Sequence, residues 1–457
     1  MAVNLPHQQY QTEPVKCWGR MKELRRGHFR HTWDAAARGE PVIQGIVEFF
    51  LGYFSGIGDF ANPSYGPYFT VMMRNPEFAT KVFEGAEARG LPRDICSSMR
   101  CHLGQLFTGM SFKGPEGQTM HPDMVIQMAG CHSILKTGQL FSQHGDAPYF
   151  IMDFPSTDRD EAARAYVKSQ LYEGIEWMEQ VTGRKYDDEK LIEGVKNEYE
   201  TGRLLAAVMD LQSNVPAPLD MRQLWSLRLP GVTLRHKAET VDFYKELLDE
   251  VRHRVERQIS AKGVETARIM MEGLPPFPRI DILRYPTKYG AVVVGGDALF
   301  YTGGMWHLQD DGSWKVPPPL SEWRSDIRTR EDAFELICDM RLTFGIRPYA
   351  CDTRPFAVRH EYVWRAKHFG ADGVIIHMDR GCRAVQQGME ENKIALDQAG
   401  FRTVTYEASQ ADFRDFNERQ IYDTLDAFME SLGLESMAEA PQAEAAEDEP
   451  GLHGAGG

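Results

Sequence analysis

From Lys16 to Gly39 (KCWGRMKELRRGHFRHTWDAAARG) apolar residues recur every three or four positions, the period of an amphipathic helix. This predicts a helical N-terminal segment, residues 1–60, without clear strands. Its longest apolar stretch, Val42 to Ile57, contains Gln44 and Glu48. That is short of the ~20 residues needed to span hydrocarbon, so it reads as a buried helix or helix pair. Further on, short strand-like runs (Asp123 to Ala129, Pro148 to Met152) alternate with helical ones such as Pro76 to Arg89, the βαβ signature of a parallel sheet. Between 160 and 260 long amphipathic patterns dominate, DEAARAYVKSQLYEGIEWMEQVTG and ETVDFYKELLDEVRHRVERQISAKG, each followed by a glycine that would close it. A second α/β series follows, with ARIMMEG, AVVVGGDALF, GIRPYACDT, GVIIHMDRG and FRTVTYEA as strands and WKVPPPLSEWR as a Pro-rich surface loop.

The expected fold class is α/β, with two doubly wound, Rossmann-like parallel-sheet domains. The expected division is a helical N-terminal segment (1–60), a first α/β domain with a long helical insertion (61–260), a second α/β domain (261–434) and a disordered acidic tail (435–457). The tail, rich in Ala, Glu and Pro, offers little apolar area for a core, and the fold is expected to survive its removal.

Composition narrows the function classes. A 457-residue chain with 42% hydrophobic and 26% charged residues is ordinary for a folded globular protein of several domains. A formal net charge of -15 argues against a nucleic-acid-binding surface, which carries a basic excess. The start, MAVNLPHQQYQTEP, lacks the basic residues and apolar core of a secretory signal, so a cytoplasmic location without membrane attachment is expected.

Seven cysteines in a reducing compartment are not a disulfide framework. No C-x-x-C pair exists among Cys17, Cys96, Cys101, Cys131, Cys338, Cys351 and Cys382, so zinc ribbons, thioredoxin-type sites and the bacterial ferredoxin run are unsupported. Any metal site must draw on distant segments. Cys96 (LPRDICSS), Cys131 (MAGCHS) and Cys382 (MDRGCR) stand beside turn residues at what read as strand ends, where ligands gather in open α/β sheets. Cationic neighbours (Arg93, Arg100, His132, Arg380, Arg383) are expected to favour their thiolates. Cys338 (EDAFELICDMRL) and Cys17 fit the ordinary role of a small buried hydrophobe, whereas Cys101, five residues after Cys96, is open between the two.

The ordered set ICSSMR, AGCHS and ADGVIIHMDRGC, separated by a helical middle, resembles the family of 2-hydroxyacyl-CoA dehydratases and ATP-dependent benzoyl-CoA reductases over roughly residues 60 to 435. RPYACDTRPFAVRHEYVWRAKHFGADG and the terminal DAFMES helix belong to the same resemblance. YFSGIGDFANPSYGPYF and the long N-terminal segment look most like the B-type catalytic subunit of class I benzoyl-CoA reductase. In that family three cysteines hold a 4Fe-4S cluster with an open or non-cysteine fourth position. They map onto Cys96, Cys131 and Cys382, while Cys351 falls at a position that is often cysteine without being a ligand. This chain departs from many members in having His132 and Arg383 where Asp follows the second and third cysteine.

The resemblance implies a heteromer: a homologous cluster-binding subunit, ATP-binding electron-activating subunits and ferredoxin as upstream donor, acting on an acyl-CoA. Consistent with ATP binding elsewhere, no G-x-x-x-x-G-K-[ST] occurs, and the pairs Gly295–Gly296 and Gly303–Gly304 read as turns. Protons for the ring point to His132, His102 and His377, because imidazole titrates near neutrality. The CoA phosphates point to Arg354, Arg359, Arg380 and Arg383. The expected activity is reduction of benzoyl-CoA, or a substituted analogue, to a cyclic dienoyl-CoA. The alternatives are a 2-hydroxyacyl-CoA dehydratase subunit and a non-catalytic assembly or binding subunit.

Overall fold

The computed structural model of the chain describes residues 9–45, 51–63, 75–110, 120–155, 160–296, 299–300, 303–343, 357–386 and 388–437, with the backbone alone at 357–360 and 383. The first half runs α1 (Trp18–Ala37), β1 (Ile43–Gln44), α2 (Leu51–Phe54), α3 (Pro76–Ala88), α4 (Ser97–Thr108), β2 (Met124–Met128), α5 (His132–Gly145), β3 (Tyr149–Met152), α6 (Glu161–Thr182) and α7 (Asp188–Asp210). Local chemistry sets several boundaries. Asn75 accepts the Phe78 N–H at 3.0 Å with Pro76 in the first turn of α3, Asp160 accepts the Ala163 N–H at 2.9 Å, and Gly183, left-handed, closes α6.

The second half continues α8 (Met221–Leu227), α9 (Leu229–Thr233), α10 (Ala238–Glu256), β4 (Ala267–Glu272), β5 (Ala291–Gly295), β6 (His307–Leu308), β7 (Trp314–Lys315), α11 (Leu320–Trp323), α12 (Arg330–Cys338), α13 (Ala357–His368), β8 (Gly373–Asp379), α14 (Arg383–Gln386), α15 (Met389–Gln398), β9 (Arg402–Ala408) and α16 (Glu418–Ser431). Two parallel sheets organise the chain, β1-β2-β3 and β5-β4-β8-β9. Strands β2, β4 and β5 are buried along their whole length, as expected when helices cover both faces of a parallel sheet. The largest core joins α7, α8, α10 and α16 to β4 and β5. The architecture is therefore the α/β class with parallel sheets that the sequence pattern predicts.

Several expectations are corrected. Val42 to Ile57 is not simply helical: Ile43–Gln44 is a strand pairing with Met124 and Val125 of β2. Two residues carry no readable period; their pairing is decided by the neighbouring strand. The glycine expected to close α10 stands well beyond its end. Gln258, at φ +52, makes the turn, and Gly263 instead receives the Tyr10 N–H at 2.7 Å on its carbonyl. WKVPPPLSEWR is more than a loop: its first two residues form β7, paired antiparallel with β6, and Leu320–Trp323 is helical, with Leu320 in a core cluster. The predicted strand GIRPYACDT lies outside the described residues. So does most of the expected tail, although Met437 donates its N–H to the Lys288 carbonyl at 2.9 Å.

Candidate functional site

Two of the three singled-out cysteines stand where the sequence places them. Cys131 follows β2 and is the N-cap of α5; Cys382 lies in the turn between β8 and α14. Cys96 is the exception among the described residues: it follows a turn after α3 and N-caps α4, with no strand before it. What the three share is a helix N-terminus, where main-chain N–H groups have no intrahelical partner. The N–H groups of Ser98 and Met99 stand near Cys96, those of Ser133 and Ile134 near Cys131, and that of Val385 near Cys382, close enough to act on each thiol electrostatically.

Burial pushes all three thiols up, Cys96 to about 12, and each of these N–H groups works in the opposite direction, towards thiolate. The thiols also feel one another, since Cys131 raises Cys96, and both raise Cys382. The structure thus brings Cys96, Cys131 and Cys382 within electrostatic reach of one another. The expected role of cationic neighbours is corrected: Arg93 pairs with Asp415 (2.6 Å), Arg100 with Asp412 (2.9 Å) and Arg380 with Glu407 (2.6 Å). The thiolate-favouring contacts come from the main chain.

The turns that carry Cys96 and Cys382 pack backbone to backbone. Gly381, at φ +82, lies so close to Ile95 that a Cβ there would sit 2.7 Å from the Ile95 carbonyl carbon. Only glycine meets both conditions. Asp379, the buried last residue of β8, accepts the Gln410 N–H at 3.2 Å; burial pushes its carboxyl up to about 8, and when ionised it raises both Cys382 and Cys96. Asp379 was missed in the sequence, where an acidic residue before Arg-Gly-Cys carries no distinguishing signal.

The other singled-out residues scatter. His132 is exposed at the start of α5. His102 is buried in α4, and burial lowers it to about 3, which keeps it neutral. His377 is buried in β8, its Nδ1 against the Leu274 carbonyl and its ring stacked on Tyr406 at 4.9 Å. Arg354, Cys351 and the side chains of Arg359 and Arg383 lie outside the described residues. Arg380 lines a polar cavity of about 1110 Å³ beyond the carboxyl ends of β8 and β9, together with Arg93, Asp379 and Asp415. Cys338 is fully buried in α12, Cys101 packs with Ala79, Val82 and Phe83, and Cys17 is half-buried against the large core. Gly296, Gly303 and Gly304 sit in close contact with Met271, Leu205 and Trp306, so packing, rather than a turn with positive φ, explains them.

A single metal ion needs its donors around one point. Among the described residues no three His, Cys, Asp or Glu side chains are gathered that way. A cubane makes a different demand, because its iron corners hold three cysteine sulfurs ~6 to 7 Å apart. Three thiols from separate segments, each at a helix N-terminus and coupled through space, fit that wider frame. Among the described residues no helix is long and apolar enough to cross a membrane.

Comparison with known proteins identifies a family for the chain. Residues 70–432 match the family described as 2-hydroxyglutaryl-CoA dehydratase, D-component. The chain is 26% identical over 361 residues to the (R)-2-hydroxyisocaproyl-CoA dehydratase alpha subunit of Clostridioides difficile, covering 77% of this chain and 81% of that one. It is 25% identical over 351 residues to the (R)-phenyllactyl-CoA dehydratase alpha subunit of Clostridium sporogenes, covering 75% and 77%. Against the B subunit of benzoyl-CoA reductase from Thauera aromatica it is 27% identical over 238 residues, covering 48% and 54%. With the match spanning every strand but β1 and all three cysteines, the chain belongs to the 2-hydroxyglutaryl-CoA dehydratase D-component family.

Proposed function

We propose that this chain is the iron–sulfur catalytic subunit of a heteromeric acyl-CoA enzyme, and that its reaction is reduction of benzoyl-CoA, or a substituted benzoyl-CoA, to a cyclic dienoyl-CoA. The observation that carries the reading is the meeting of Cys96, Cys131 and Cys382, each at a helix N-terminus. A 4Fe-4S cluster bound there supplies one-electron chemistry at low potential, which an aromatic thioester requires. The three helix N-termini position the sulfurs, and the core around buried Cys382 limits water on that side. Arg380, on the wall of the 1110 Å³ cavity, is the described cation best placed to meet the CoA phosphates. His102, kept neutral by burial, has no imidazolium proton to give.

Relatives described as alpha, beta and B subunits support a partner subunit of the same kind. In this reading ATP binds separate activating subunits, with ferredoxin upstream, which agrees with a sequence that has no G-x-x-x-x-G-K-[ST]. The second reading, dehydration of an (R)-2-hydroxyacyl-CoA, is favoured by the longer spans of the dehydratase relatives, 77% and 75% of this chain against 48% for the reductase relative. Anaerobic assay of the assembled enzyme separates the two. A cyclic diene with ATP consumed at every turnover supports the reductase; an enoyl-CoA formed from a 2-hydroxyacyl-CoA with ATP needed only for activation replaces it with the dehydratase.

A further inference from the structure

The Cys96 and Cys382 turns come from distant parts of the chain, yet one short segment after β9, Ser409 to Asp415, is bonded to both. On the Cys96 side, the Ala411 N–H donates to the Ser97 hydroxyl at 3.2 Å, and Asp412 holds Arg100, one turn further along α4, at 2.9 Å. Ala411 also packs into the small core of α3 and α4. On the Cys382 side, the Gln410 N–H donates to Asp379 and the Ala408 carbonyl accepts the Arg380 N–H at 2.7 Å. Asp415 spans the two: it pairs with Arg93 at 2.6 Å, accepts from Ser409 at 2.7 Å and lies 3.8 Å from Arg380.

Arg100 and Asp412 are both fully buried, and Asp415 nearly so. A buried ion pair adds little net stability over well-packed apolar side chains, because desolvation opposes the attraction. What charged groups provide that apolar ones do not is direction, since each bond fixes a donor against an acceptor. Directional bonds running from one segment to the chain neighbours of two thiols are what a multi-sulfur site needs to keep its spacing.

We propose that Asp412 and Asp415 are positioning residues that set the separation of the Cys96 and Cys382 sulfurs for the cluster. Neither needs to touch iron. The inference rests on the cluster reading proposed above and deepens it.

The test uses the anaerobically purified holoenzyme with its partner subunits, comparing wild type with Asp412→Asn, Asp415→Asn and, as a control, Glu335→Gln. The control removes ion pairs between Glu335 on α12 and Arg164 and Lys168 on α6. Iron loss to a chelator and the electron paramagnetic resonance spectrum of the reduced protein are read beside melting temperature. Loss of partners around metal ligands typically lowers metal affinity 10- to 100-fold, so the two aspartate variants should release iron ~10-fold faster or more with an altered spectrum, while the control behaves as wild type. Arg93→Gln, at a half-exposed position that leaves folding intact, should move iron loss the same way by a smaller factor. Iron release and spectra equal to the control in both aspartate variants would overturn the positioning role alone. Wild-type protein that holds no iron would overturn the cluster reading, and this inference with it.

Discussion

At the scale of single residues, the difficulty of this site is charge. Burial raises the thiols of Cys96, Cys131 and Cys382, so the thiolate a metal requires must be stabilised from inside the protein, and helix N-termini supply the donors. Gly381 supplies the approach. Gly381→Ala would force a side chain into a left-handed turn against the Ile95 backbone, and either the turn or its neighbour must shift. Expected is a folded protein, by circular dichroism, with iron content below half of wild type; full iron would show that the two turns need not touch. Cys131 and Cys382 were legible in the sequence because each follows an apolar strand and precedes a helix. Cys96 was legible as a candidate but not in its context, since a turn between two helices reads much like a strand end. Asp379, Asp412 and Asp415 were not legible, because in a chain of net charge -15 an acidic residue looks like solvated surface until its burial is known.

At the scale of elements, periodicity and capping served well where elements are long. α6 runs Glu161–Thr182 with Gly183 at its end, as its pattern demands, and β8 and β9 occupy the predicted apolar runs. Short elements and helix ends were lost, because β1 and the turn at Gln258 are set by tertiary pairing. α1 illustrates a consequence invisible in its pattern. His28 is buried on its inner face, and burial first, then His31 and Lys237, lowers it to about 4. Its folded value lies below its ordinary 6.5, so between those values the unfolded chain binds more protons and stability falls as pH falls. The full effect is about 3 kcal/mol. Urea midpoints at pH 7 and 4.5 should drop more in wild type than in His28→Gln; equal drops in both would show that His28 does not carry the effect.

At the scale of the whole molecule, two parallel sheets and the helices around them hold three cysteines that no local motif could assemble. Membership of a dehydratase family and the resemblance to reductase subunits agree on that core, and both readings of the reaction need it. The most direct measurement is therefore of iron, acid-labile sulfide and visible absorbance in anaerobically prepared Cys96→Ser, Cys131→Ser, Cys382→Ser and Cys338→Ser. Serine keeps the size of cysteine but not the soft thiolate that iron prefers. The first three should each lose all three signals together. Cys338→Ser, at the buried last residue of α12, should keep them while losing about 1 to 2 kcal/mol of stability from a hydroxyl placed among apolar side chains. A Cys382→Ser protein with its full complement of iron and sulfide would contradict the account, because the third sulfur would then have to come from elsewhere.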